Sequence, residues 1–339
     1  MNAVLLTGAG FTKTFGGYLA SEMWATILNQ PEVQRSPELL KGMRDLENLD
    51  YEMFYEDIQA GGTEQQKKDL NAAIRSAFKE MDDNIRTYKS KSLSHSCCNL
   101  ICRIAQDKAP SFIFTLNQDM FFERYHSREK ITVFPGLPDH LNRFREADQN
   151  STDFSVRLPG LEELEPRKRE LFRKGFAQIA YVKLHGSQGW LSHDGSDAMV
   201  IGTQKASRIE SEPLLKWYSS LFEQVLNRPD TRLLVVGYGF GDKHINQCIV
   251  NAIGKGLKLY VISPQSPQEF KNQFKPPLHG NFLQKPLGDE LWDGLVQYWP
   301  TTLTDFYYEN QGPPGDLTHR GRALFWSLGL TYITCRKLV

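Results

Sequence analysis

The stretch Val4–Gly17, VLLTGAGFTKTFGG, decides the fold. Ala3 to Leu6 is an apolar run short enough for one buried strand, and it breaks at once into Gly8-Ala9-Gly10. Beyond the glycines, Leu19, Met23, Trp24 and Ile27 fall at helical spacing. A strand that runs through glycines into a helix is a phosphate cradle, because glycine lets backbone N–H groups approach an anion and the helix dipole favours it. The spacing departs from the usual dinucleotide fingerprint. No third glycine stands at the expected place, and no acidic residue closes a second strand about 20 positions on. The alternative reading of the same loop is a tight strand-to-helix turn.

Further along, four more apolar runs read as strands, each ending in polar or glycine residues. Ser111–Asn117 (SFIFTLN) is followed by a helical start at NQDMFFERYH, with Asn117 or Asp119 suited to its N-cap. AQIAYVKLHGS gives a strand ending near Leu184, TRLLVVGYGFGD another, and LKLYVIS a last one. AMVIG (198–202) is a candidate short strand. SEPLLKWYSSLFEQVLN reads as an amphipathic helix capped by Ser211. DKHINQCIVNAIGKG reads as a helix starting at Asp242 and stopping at Gly254 or Gly256. Strands alternating with helices predict an α/β fold: a Rossmann-like open parallel sheet with helices on both faces, ligands binding beyond the carboxyl ends of the strands.

Between the first two strands, Ser36 to about Ala105 is charged and helix-periodic, so a helical insertion is expected over about 31–107. Residues 127–165 are rich in proline, glycine and charge, as in a lid or an interface segment. The expected core is then about 1–30, 108–126 and 178–300. Residues 301–339 form a C-terminal extension whose Gly-Pro stretch reads as a hinge.

Four clusters at strand ends carry the candidate chemistry. The first is Gly8, Ala9 and Gly10. The second is Thr115, Asn117 and Asp119, where one polar residue caps the next helix and the other projects into a cleft. The third is His185 with Gly186 behind it; an imidazole titrating near neutrality suits proton transfer. The fourth is Gly237-Tyr238-Gly239 with Asp242, followed by His244 and Asn246 in packing or capping roles; Ser263 at the last strand end is a candidate ribose or adenine contact.

The order GAG, TLNxD, KLHG, GYGFGDxHIN over residues 3 to 265 resembles the sirtuin superfamily. It looks most like the sirtuin-like NADases of bacterial antiphage defence. The resemblance implies an NAD-binding domain over 1–300 with NAD+ as substrate. Gly8, Ala9 and Gly10 would hold the pyrophosphate. Asn117 and His185 would be catalytic, and Asp119 would shape the nicotinamide pocket. Thr115 belongs to the matched strand end, and Gly237, Tyr238 and Ser263 would line the adenosine half. Departures point away from peptide deacylation. The paired cysteines of a zinc module are missing, so neither a zinc ribbon nor any other metal is expected. Gly16-Gly17 stands where deacetylases carry an Asp-Phe-Arg stretch. The expected activity is NAD+ glycohydrolysis that depletes NAD+ during phage infection. The alternatives are a protein deacylase or ADP-ribosyltransferase, and a non-catalytic module that senses NAD+ or ADP-ribose. The family also implies a homo-oligomer and a regulatory partner, a HerA-type ATPase or an Argonaute-like protein.

Composition sets outer bounds. With 339 residues, 40% of them apolar, the chain can bury a large α/β core. Forty basic residues balance forty acidic ones, so no nucleic-acid or membrane surface is advertised. Cys97, Cys98, Cys102, Cys248 and Cys335 form no CxxC pair and read as reduced thiols. No apolar run approaches a signal peptide or a membrane span, so a cytoplasmic location is expected.

Overall fold

A computed structural model describes residues 2–47, 49–88, 111–126, 131–133, 155–171, 179–273 and 287–309. The strands are β1 Asn2–Thr7, β2 Ser111–Thr115, β3 Ile131–Val133, β4 Val156–Arg157, β5 Ile179–Lys183, β6 Trp190–Leu191, β7 Thr231–Val236, β8 Lys258–Ser263 and β9 Leu295–Pro300. Seven of them make one parallel sheet in the order β3-β5-β2-β1-β7-β8-β9; β4 and β6 pair separately. Every residue of β2 and β5 is buried, as expected when helices cover both faces of a parallel sheet. The chain starts in the middle of the sheet, builds outward through β2, β5 and β3, then returns to build β7, β8 and β9 on the other side. Parallel crossovers are right-handed, so the two halves carry their helices to opposite faces.

Between β1 and β2 the described residues form the helices Ala9–Lys13, Ala20–Leu28, Pro31–Gln34, Pro37–Arg44, Tyr51–Gly61 and Glu64–Thr87. The last begins at a capping box: Thr63 accepts from the Gln66 N–H and the Gln66 side chain accepts from the Thr63 N–H. Its buried stripe is Leu70, Ala73, Ile74, Ala77, Phe78, Met81 and Ile85, spaced three and four apart. Burying each of the larger side chains contributes about 1.5–3 kcal/mol. Asp82, on the same helix and fully buried, forms an ion pair with Arg124 in the helix Phe121–His126. Phe11, Phe15, Phe121 and Phe122 interlock beside it, with Phe15 and Phe121 stacked at 4.4 Å. The helical segment is thereby fastened to the elements that follow β1 and β2.

Three expectations change. AMVIG is not a strand: Ala198 to Ile201 form a buried connector, tied down where the Val200 N–H donates to the His185 carbonyl at 3.0 Å. Ser211 does not cap the long helix; it ends the short helix Lys205–Ser211. Pro213, whose fixed φ suits the first helical position, starts the next helix, with Glu212 before it. Part of the 127–165 stretch is built into the sheet, because β3 pairs with β5 at its edge. The remaining lid or interface residues up to 154, the expected hinge and tail from 310 on, and Cys97, Cys98, Cys102 and Cys335 lie outside the described residues.

Candidate active site

Four strand ends lie side by side. In the register Thr7 pairs with Thr115 and with Val236, and Thr115 pairs with Lys183. Gly8 and Gly237 therefore leave neighbouring strands one residue later. Asn117 and His185 leave the next neighbours two residues beyond their last pair. The strand order reverses between β1 and β7, the point where open α/β sheets bind ligands.

Glycine is required here for contact between the two turns. Gly237 has φ +65°, and a Cβ on it would stand 2.1 Å from the Phe11 nitrogen. A Cβ on Gly8 would meet the Gly237 oxygen at 2.7 Å, and one on Gly10 the Gly237 Cα at 2.9 Å. The Gly8 N–H donates to Val236 and the Gly10 N–H to Gly237, at 3.1 and 2.8 Å. Both N–H groups expected to face a pyrophosphate are thus engaged within the protein, while Ala9 lies exposed at the rim.

Thr115 and Asn117 tie β1 to β2. Thr7 and Thr115 join through their hydroxyls at 2.8 Å, and Thr115 Oγ1 accepts from the Asn117 N–H at 3.0 Å. Asn117 Nδ2 donates to the Gly8 carbonyl at 2.9 Å and to Thr12 Oγ1 at 3.1 Å. Asn117 does not cap the following helix. Asp119 does, with Oδ1 accepting from the Phe121 N–H at 3.0 Å. Among the described residues nothing donates to the Asn117 amide oxygen.

Asp119 is buried, and burial pushes its carboxyl up to about 6 against the pull of Lys183. Lys183 is fully buried on β5. It donates to the Asp119 carbonyl and to Glu123 Oε1, the latter at 2.9 Å, and Tyr181 Oη reaches Glu123 Oε2 at 3.4 Å. A buried ammonium is tolerated because carboxylate and carbonyl surround it.

His185 is 3% exposed. Gly186 turns the chain with φ +71°, where a Cβ would stand 2.3 Å from the Ala198 oxygen. The expectation of an imidazole titrating near neutrality fails: burial pushes His185 down to about 3, only partly opposed by Asp242. The ring is neutral at physiological pH. Its Nε2 faces Nε2 of His244 at 3.4 Å, with the ring centroids 5.5 Å apart. Partial burial also lowers His244, against Asp242. Asp242 accepts from Lys205 at 2.8 Å, and Lys205 reaches Glu52 in the helix Tyr51–Gly61 at 2.9 Å. Burial alone would raise Asp242, but the charge and hydrogen bond of Lys205 hold it below the usual carboxylate range.

Tyr238 shapes the fourth turn from inside. Its hydroxyl accepts from the Asp242 N–H at 3.0 Å and reaches Asn246 Oδ1 at 3.0 Å, while Asn246 Nδ2 holds the Phe240 carbonyl at 2.7 Å. Asn246 therefore has the packing role expected of it, and the ring of His244 packs against His185. Ser263 ends β8, two strands from β1, and its Oγ accepts from the Gln265 N–H at 3.4 Å. The sequence reading missed His244, Lys205 and Lys183. For His244 a signal existed: it follows Asp242 by two positions at the start of a helix that itself follows a glycine turn. For Lys205 none existed, since its partners lie far away in sequence. Lys183 was in view within KLHG, but nothing local marks it as buried.

Residues 111–279 match the family model of the SIR2-like domain. This segment is similar to SIR2-like domains. The match runs from β2 through β8, whereas β1 and its GAG turn lie ahead of it, at the centre of the sheet. A solved structure described as "Structural Basis for the Mechanism and Regulation of Sir2 Enzymes" aligns over 91% of this chain and 91% of its own, with 13% identity and a TM-score of 0.35. Among curated proteins no sequence matches this chain. No group of three or more His, Cys, Asp or Glu placed to hold a metal occurs among the described residues. None of their helices is long and apolar enough to cross a membrane.

Proposed function

We propose that this protein is an NAD+ glycohydrolase, cleaving NAD+ to nicotinamide and ADP-ribose. One observation carries the reading. Asn117 and the neutral, buried His185 leave adjacent strands at matching positions, on the same edge of the sheet as the turns where the strand order reverses. The SIR2-like match over 111–279 supports NAD+ as the nucleotide.

The chemistry asks little of the protein. The bond from the ribose anomeric carbon to the nicotinamide nitrogen breaks, and its electron pair neutralises the pyridinium. A water oxygen bonds to the same carbon and loses a proton. The Asn117 amide oxygen is proposed to orient that water, lowering the entropic part of the barrier. His185 is proposed to take the proton as the bond forms. Asp119, capped onto its helix, would border the nicotinamide. Tyr238, with its hydroxyl committed to the loop, would present ring rather than hydroxyl to the adenosine half, next to Gly237 and Ser263. Because the Gly8 and Gly10 N–H groups are engaged, the pyrophosphate is proposed to meet the exposed rim at Ala9. The wider role proposed is NAD+ depletion in antiphage defence, switched on by assembly or by a protein partner.

Purified protein, alone and with candidate partners, is incubated with NAD+ and nicotinamide release is followed. Asn117→Ala and His185→Ala should each lower turnover by about 10²–10⁴-fold, the range for a lost general base or an equally placed orienting group. Equal turnover by wild type and both variants would sink the assignment. An NAD-dependent change on a peptide, in place of free ADP-ribose, would favour a transferase or deacylase.

A further inference from the structure

We infer, resting on the hydrolase reading above, that His244 is a positioning residue that acts through His185, as the second station of a proton path from the site to solvent. The two Nε2 atoms face each other at 3.4 Å. Among the described residues this is the one hydrogen-bond contact that either ring makes. Two lone pairs cannot share that gap, so one Nε2 carries a hydrogen. The separation lies at the outer limit of a hydrogen bond, as is common before a catalytic complex tightens.

Burial explains the need for a second ring. A proton taken by His185 alone would leave an imidazolium in a site that is 3% exposed and holds the ring neutral down to about pH 3. A coupled transfer avoids that state. The water O–H bond breaks and an Nδ1–H bond forms on His185. The Nε2–H bond of His185 breaks and an Nε2–H bond forms on His244. His185 finishes neutral in its other tautomer. His244 carries the charge until its Nδ1 proton passes to water.

His244 is better placed for that charge. It is half-buried, at the second position of the helix Lys243–Ile253, between exposed Lys243 and buried Ile245. The charged groups acting on the pair are Asp242, from the turn after β7, and Lys205, from the helix Lys205–Ser211; Lys205 also reaches Glu52 in the helix Tyr51–Gly61. The pull of Asp242 on both rings outweighs the opposing charge of Lys205 and favours a passing cation. Lys205 holds Asp242 in place at 2.8 Å.

The test uses the full chain and has two arms. In the first, nicotinamide release from NAD+ is measured from pH 5 to 9 for wild type, His244→Ala and His244→Gln. Expected is a loss of kcat of about 10²-fold in both variants, the low end for general-base catalysis, with KM unchanged. Added imidazole should restore part of the rate in His244→Ala and none in His185→Ala. Wild-type kcat at every pH, or a loss that imidazole leaves untouched and that comes with a raised KM, would overturn the relay. In the second arm, ¹⁵N spectra of the imidazoles are recorded without substrate. His185 should stay neutral from pH 5 to 8, and its Nδ1 and Nε2 shifts should move in both His244 variants. Unmoved shifts overturn the pairing. Wild type that releases no nicotinamide while the shifts move would reject the hydrolase reading and leave the pair standing.

Discussion

Replacing His185 by Gln should change how the fold responds to acid. An imidazole in the unfolded chain titrates near 6.5, whereas burial holds His185 at about 3 in the fold. Between those values the unfolded chain binds a proton that the folded chain refuses. The contribution of His185 is therefore fully present above pH 6.5 and drains away as pH falls toward 3. The difference follows RT ln[(1+10^(6.5−pH))/(1+10^(3−pH))], with the folded value from the site and the unfolded value from free histidine. From pH 7 to pH 5 this amounts to a loss of about 2 kcal/mol. Asp119 works in the opposite sense. Raised to about 6, it favours the folded state as pH falls, returning about 1.3 kcal/mol over the same interval. In wild type the two largely offset each other. In His185→Gln only the Asp119 contribution remains, together with every term common to both proteins. Urea unfolding at pH 7 and pH 5 gives a double difference that isolates His185. The variant should gain about 2 kcal/mol on wild type at pH 5 relative to pH 7. Parallel pH dependence in the two proteins would refute the assignment of a buried, neutral imidazole.

Lys183→Met should destabilise the protein by about 3–5 kcal/mol, because Glu123 is left buried without its partner. The double variant Lys183→Met/Glu123→Gln should recover at least half of that loss, read from the denaturant midpoints. Recovery of nothing would mean that packing of the lysine stem, not charge pairing, dominates. Gly237→Ala forces a Cβ to within 2.1 Å of the Phe11 nitrogen at φ +65°. It should cost at least about 1–3 kcal/mol of backbone strain. Gly239→Ala, whose Cβ would meet nothing within 4 Å, serves as the control and should change stability by less than about 0.5 kcal/mol. Equal melting temperatures for the two glycine variants would contradict the contact between the turns.

The sequence by itself determined the elements and much of their polarity. Apolar runs of five or six residues ending in GAG, TLN, KLHG or GYG could bury both faces only as parallel strands with their polar ends on one edge, and they do. Helical spacing likewise announced the segment between β1 and β2, since a stripe such as Leu70, Ile74, Ala77, Phe78 and Met81 has one periodicity that buries it. Short-range rules failed where two local preferences competed, as at Ser211, where Pro213 took the helix start. Tertiary structure alone decided the electrostatics. The register Thr115–Lys183 set Asn117 beside His185, and burial turned an ordinary imidazole into one that stays neutral down to about pH 3. Lys205 met Asp242 and Glu52, partners 37 and 153 positions away, through the packing of three separate elements. A charge's energy depends on distance and on how much water remains around it. Neither quantity is written in the spacing of residues along a chain.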